Sequence, residues 1–163
     1  MKVTRIALLI SMLFMITLLW INSPLASNIS FSFNTYDGKK YSLSDFKGKY
    51  ILLNLFSSYC PPCMVELKVL QKLNENCSNK GLQVVSLMID REGVQLLPKI
   101  VSSRNLTYPV GLANQEVFKT FPDFSITPTT YLLDPSGNRI EKFVGYMSYK
   151  EWVNVLNRFV KCN

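Results

Sequence analysis

Cys60-Pro61-Pro62-Cys63 stands between Tyr50-Ile51-Leu52-Leu53-Asn54-Leu55-Phe56, an apolar run of strand length, and Met64 to Leu73, where Val65, Leu67, Val69, Leu70 and Leu73 give an amphipathic helix. The near-continuous apolar run reads as the buried centre of a parallel sheet. Two thiols at this spacing can close on each other. The first lies at a helix N-terminus, where the macrodipole and unpaired amides favour a thiolate. That layout suits a dithiol that trades electrons with other disulfides.

Working outward, residues 28 to 36 alternate apolar and polar side chains, and Asp37-Gly38 turns them into Lys40 to Leu43, a hairpin with one covered face. Ser44 to Gly48 is a short turn or helical hitch. After the helix, the polar stretch Asn74 to Lys80 and Gly81 precede a second buried strand, Leu82 to Ile89, which ends in Asp90-Arg91-Glu92-Gly93. Val94 to Ser103 reads as a helix despite Pro98, Tyr108 to Leu112 as a short strand, and Asn114 as the cap of a brief helix through Thr120. Thr129 to Leu133 and Arg139 to Val144 flank the turn Asp134 to Asn138 as an antiparallel hairpin. Tyr149 to Val160 closes the chain as an amphipathic helix with Trp152, Val155, Leu156 and Phe159 on one stripe. This order implies an α/β fold: a central mixed sheet with helices on both faces.

The 163 residues suffice for one domain with a core and are too few for two comfortable ones. The net charge of +7 comes from Lys and Arg scattered singly, so no nucleic-acid footprint is read. The absence of histidine excludes Ser-His and Cys-His nucleophile pairs and leaves metal ligation to Cys, Asp and Glu. Lys2 and Arg5, followed by the apolar run Ile6 to Ile21 and then Asn22-Ser23-Pro24, mark residues 1–27 as a signal peptide or an uncleaved N-terminal membrane anchor. Both readings place residues 28–163, the single domain, outside the cytoplasm.

The order of elements resembles the thioredoxin superfamily, and most of all its extracytoplasmic, membrane-facing members of the TlpA/ResA type. The marks are Asn54-Leu55-Phe56 ahead of the dithiol, Cys60-Pro61-Pro62-Cys63, Glu66, Ile126-Thr127-Pro128-Thr129-Thr130 and the Asp134 to Asn138 turn. The N-terminal hairpin and the inserted helix-strand element around residues 92 to 112 also fit that branch. The resemblance implies a thiol:disulfide oxidoreductase with Cys60 as nucleophile and Cys63 as resolving thiol. Pro61 and Pro62 suit the first helical positions, where a missing N–H costs little, and leave the Cys63 amide as the nearest donor to Cys60. Glu66 follows Cys63 by three residues, and in the family a carboxylate there is buried near the thiols and implicated in their protonation; read from its spacing alone it could equally be an exposed acid. Asn54 stands where cytoplasmic thioredoxins carry a buried Asp. Pro128 is expected to be cis and to lie against the dithiol, with Thr127 touching the attacking sulfur, while Tyr59, Pro61 and Pro62 complete the surface that a partner meets. Phe56 and Tyr59 depart from the tryptophans usual there.

In the fold so implied, the dithiol helix and the C-terminal helix run side by side, so a structural disulfide is expected between Cys77 and Cys162; the alternative is two unrelated thiols. No bound cofactor is expected. The implied partners are cysteine pairs of extracytoplasmic proteins and a membrane thiol-reductase as electron donor, with the chain acting as a monomer that touches the membrane only if its N-terminal segment stays uncleaved. The implied role is that of a reductant, in cytochrome c maturation or at metal-site cysteines. Two other readings compete. A peroxidase of the peroxiredoxin type needs a proline seven residues and a Thr or Ser three residues before its reactive Cys; Ser57 meets the second condition, but Leu53 stands at the first. A non-catalytic redox or copper-binding module is the other.

Overall fold

The structure is a computed structural model and describes residues 29–162. β1 (Ser32–Asn34) and β2 (Lys40–Ser42) pair antiparallel. A 3-10 turn, Leu43–Phe46, follows; Ser42 and Asp45 close a capping box over it, satisfying amides that the turn leaves unpaired. The apolar run is β3 (Tyr50–Phe56), and the dithiol opens α1 (Pro61–Cys77). Then come β4 (Leu82–Met88), a 3-10 turn at Val94–Leu96 running into α2 (Leu97–Ser103), β5 (Val110–Leu112) and α3 (Gln115–Thr120). β6 (Thr129–Leu133), β7 (Arg139–Val144) and α4 (Tyr149–Leu156) complete the order.

The five-stranded sheet runs β5-β4-β3-β6-β7, with β3, β4 and β5 parallel and β6 and β7 antiparallel to their neighbours. Because side chains alternate along a strand, β3 feeds both faces. Leu52 and Phe56 meet Leu67, Leu70 and Leu73 of α1 and Trp152 and Leu156 of α4, with α2 on the same side. Ile51, Leu53 and Leu55 meet Phe31, Phe33, Val117 and Phe121, so the hairpin and α3 cover the other face. Each fully buried leucine contributes about 1.5–3 kcal/mol. The hairpin reaches the edge of the sheet through a bridge between Thr35 and Gly111. A Cβ on Gly111 would overlap the Asn34 carbonyl, so only glycine lets the two backbones approach there. At the far end of β3 from the dithiol, Ile29 N–H donates to the Gly137 carbonyl at 3.0 Å.

The mixed sheet, the hairpin and the inserted element follow the sequence expectation, while several boundaries move. α1 begins at Pro61 rather than Met64, because both prolines occupy positions whose amides need no partner. It also continues through the polar stretch to Cys77, since Leu73 and Cys77 extend the buried stripe one turn further. α4 ends at Leu156 instead of Val160, where Phe159 and Val160 donate their amides back to the Leu156 carbonyl in a tight reversal. The expectations for residues 1–27 fall outside the described residues. Among the described residues, no helix is long and apolar enough to cross a membrane.

Candidate functional site

β3 delivers the chain to a turn at its C-terminal end, and Cys60 caps α1 there with extended backbone angles, φ −104° and ψ 101°. Its Sγ accepts from the Cys63 amide at 3.3 Å, the donor that the two prolines leave available. Cys60 and Cys63 are joined as a disulfide with Cα atoms 5.3 Å apart. The two sulfurs differ in access: Cys60 is half-buried, whereas Cys63 is only 1% exposed. An attacking partner therefore reaches Cys60 first. Arg104, just past α2, donates through Nε to the Met64 carbonyl at 3.1 Å and braces the first turn of α1 from the side.

The peptide between Thr127 and Pro128 is cis, and Pro128 is buried at the start of β6 with its carbonyl accepting from Gly145 at 2.8 Å. Thr129 Oγ1 donates to the Ile126 carbonyl at 2.6 Å and tightens the same loop. Tyr59 at 70% exposure and Ile126 at 58% are large apolar groups open to solvent, one from the dithiol turn and one from the proline loop. Pro61 and Pro62 are exposed beside Tyr59.

Glu66 is buried, not an exposed helix-favouring acid: 1% of its surface reaches solvent. Oε1 accepts from the Met147 amide and Oε2 from Asn54 Nδ2, each at 3.3 Å. Asn54 Nδ2 also donates to Thr130 Oγ1 at 3.0 Å, so one carboxyl links α1, β3, β6 and the segment before α4. Burial pushes the Glu66 carboxyl up from an ordinary 4.5 to about 7, against the Met147 amide, Trp152 and Asn54, which favour the anion. Trp152 Nε1 and Asn54 Oδ1 are buried without a hydrogen-bond partner among the described residues, so Trp152 favours the anion from beyond hydrogen-bond distance. A carboxyl titrating near neutrality can hold or release a proton as the thiols change state.

The shift has a stability consequence. Between pH 4.5 and about 7 the folded protein keeps a proton on Glu66 that the unfolded chain has released, so stability falls as pH rises through that window. At 1.36 kcal/mol per unit, the loss by pH 8 is about 3 kcal/mol. Glu66→Gln cannot ionise and should lack this decline. Urea midpoints of the two proteins at pH 5 and pH 8 measure it, and parallel pH profiles would contradict it.

The Cys77 and Cys162 side chains meet behind α1, bonded with Cα atoms 5.1 Å apart. Neither sulfur lies open: Cys77 is 0% and Cys162 3% exposed. One contact near the dithiol has no local signal in the sequence. Asp90, beyond β4, accepts from the Ser58 amide at 2.9 Å and from the Ser58 hydroxyl, joining residues 32 positions apart.

The AhpC/TSA family matches residues 26–141 of the chain. Thiol-disulfide oxidoreductase ResA of Bacillus thuringiensis subsp. konkukian is 28% identical over 123 residues, 75% of this chain and 70% of that protein. Thioredoxin-like protein YneN of Bacillus subtilis is 31% identical over 122 residues, 74% and 71% of the two chains. Among solved structures, a thiol:disulfide interchange protein of the thioredoxin family from Chlorobium tepidum superposes with a TM-score of 0.73 at 27% identity, covering 79% of this chain and 92% of that one. StoA of Bacillus subtilis, 23% identical with a TM-score of 0.66 over 79% and 97% of the chains, shares the fold. With the family match spanning most of the chain and YneN 31% identical over 74% of it, the chain belongs to the AhpC/TSA family, as a thioredoxin-like thiol-disulfide oxidoreductase.

Proposed function

We propose that this protein reduces cysteine pairs of partner proteins outside the cytoplasm, at the periplasm or the outer face of the cytoplasmic membrane. The observation that carries the reading is the graded access of the dithiol, with Cys60 reachable and Cys63 enclosed one helical turn before a carboxyl that titrates close to neutrality. In the reduced protein, Cys60 attacks as thiolate and breaks the partner's S–S bond, forming a mixed disulfide and releasing one partner thiolate, which takes up a proton. Glu66 accepts the Cys63 proton. Cys63 then attacks the Cys60 sulfur, the mixed bond breaks, the departing partner thiolate takes up a proton, and the partner leaves with both electrons as a dithiol while Glu66 returns its proton to solvent. The Cys60–Cys63 disulfide that remains is reduced again by a membrane thiol-reductase.

The cis Pro128 loop and Tyr59 form the surface on which an extended partner segment rests, with Thr127 beside the attacking sulfur. Cysteines of apocytochrome c before haem attachment, or those of a copper site, are the partner class that the family resemblance supports. Lys2, Arg5 and the apolar run after them support export, with or without cleavage. A peroxidase reading is not favoured, because Leu53 stands where that chemistry needs proline.

A Cys63→Ser variant produced in cells tests the reading, since it permits the first attack and blocks release. Partner proteins should accumulate on Cys60 as mixed disulfides that dissolve on reduction, and the same variant carrying Cys60→Ser should accumulate none. Failure to collect any adduct in the exported, reduced protein would overturn it.

A further inference from the structure

We propose that Asp90 is a positioning residue for the dithiol: its carboxylate holds the Ser57–Cys60 turn in the shape that presents Cys60 to a partner. Asp90 lies two residues beyond the end of β4, and Ser58 two residues beyond the end of its parallel neighbour β3, so the two loops leave the sheet side by side. Oδ1 takes the Ser58 amide at 2.9 Å, and Oδ2 takes the Ser58 hydroxyl. The Ser57 hydroxyl oxygen accepts from the Tyr59 amide at 3.2 Å. The Cys60 amide closes the turn on the Ser57 carbonyl at 3.3 Å. Asp90 thus holds Ser58 from outside the turn, and the adjoining Ser57 ties Tyr59 and Cys60 within it.

Partial burial opposes ionisation of Asp90, but the Ser58 donors outweigh it and hold the carboxyl below its ordinary range. The acceptor therefore stays charged wherever the protein works near neutrality, and charge-assisted bonds are the stronger ones. Gly93 packs over the pair: a Cβ there would overlap both Asp90 Oδ2 and Ser58 Oγ. Its φ of −86° is open to any residue, so the demand for glycine is steric and comes from the latch.

The proposal rests on Cys60 being the attacking thiol, and its test separates the two. Second-order exchange of the reduced protein with glutathione disulfide is measured for wild type, Asp90→Ala, Asp90→Asn, Ser58→Ala and the double alanine variant, with thermal midpoints alongside. Misplacing a reacting group by about an ångström can cost up to about a hundredfold. Asp90→Ala should lose about tenfold. Asp90→Asn, which still accepts from the Ser58 amide and can turn its own N–H to the hydroxyl, should recover to within about threefold of wild type. Ser58→Ala should lose severalfold alone and nothing further on top of Asp90→Ala, because both cut the same link. If Asp90→Ala fails to fold, Ser58→Ala and Gly93→Ala carry the test, each with a severalfold loss in a protein that still unfolds in one cooperative transition. Rates within twofold of wild type in Asp90→Ala, or additive losses in the double variant, overturn the proposal. Wild-type protein that does not exchange at all overturns the function instead.

Discussion

Cys60→Ser is expected to lower exchange with an aromatic disulfide by at least about a thousandfold, since a serine hydroxyl neither ionises near neutral pH nor forms a disulfide. Cys63 cannot take over, because only 1% of it meets solvent. Cys77 and Cys162 are bonded to each other and enclosed, so they supply no substitute nucleophile. Absorbance of the released aromatic thiol gives the rate. Cys63→Ser, by contrast, should show a single stoichiometric burst and then stop, because attack proceeds and resolution does not. A Cys60→Ser protein retaining a tenth of the wild-type rate would move the nucleophile elsewhere.

Removing the second disulfide is the largest expected loss of stability. Cys77 and Cys162 are separated by 85 positions. Closing a loop of that length in the unfolded chain stabilises the native state by roughly 4.5 kcal/mol in the chain-entropy account. The bond also pins the segment after α4, where Cys162 donates its amide to Asn157 Oδ1 at 3.2 Å and Phe159 packs on Tyr50 with ring centres 5.4 Å apart. Cys77→Ala with Cys162→Ala should therefore lower the urea-derived stability by about 3 to 4 kcal/mol while leaving the Cys60–Cys63 pair reducible. In wild type, mild reductant should open Cys60–Cys63 first, because it alone is half open to solvent. Two free thiols in the denatured, oxidised protein, or a change of less than about 1 kcal/mol in the double variant, would refute the assignment.

What could be read in the residues was whatever is encoded locally. β3 declared itself by an unbroken apolar run, α1 by its stripe and its prolines, and the β6–β7 hairpin by the Asp134 to Asn138 turn. Helix ends were less legible because tertiary contacts decide them: Cys77 prolongs α1 by being buried, and the reversal after Leu156 shortens α4 by turning the chain toward Cys77. At the site, the dithiol and the proline loop stood out, while the environment of Glu66 did not. Its pKa is raised by burial and moderated by Met147, Trp152 and Asn54, drawn from three other parts of the chain, and Met147 contributes only a backbone amide, which any residue but proline would supply. The Ser58–Asp90 contact is invisible for the same reason: it exists only once β3 and β4 lie in register.

The Ile29 amide fastens to Gly137 in the β6–β7 turn, at the margin where β3 starts. The dithiol emerges where β3 finishes, seven residues on, a span of about 20 Å. The molecule thus has a handle at one pole and its reactive edge at the other. Ile29 and Cys60 therefore stand at opposite ends of β3, and a contact made at the Ile29 end leaves the dithiol uncovered.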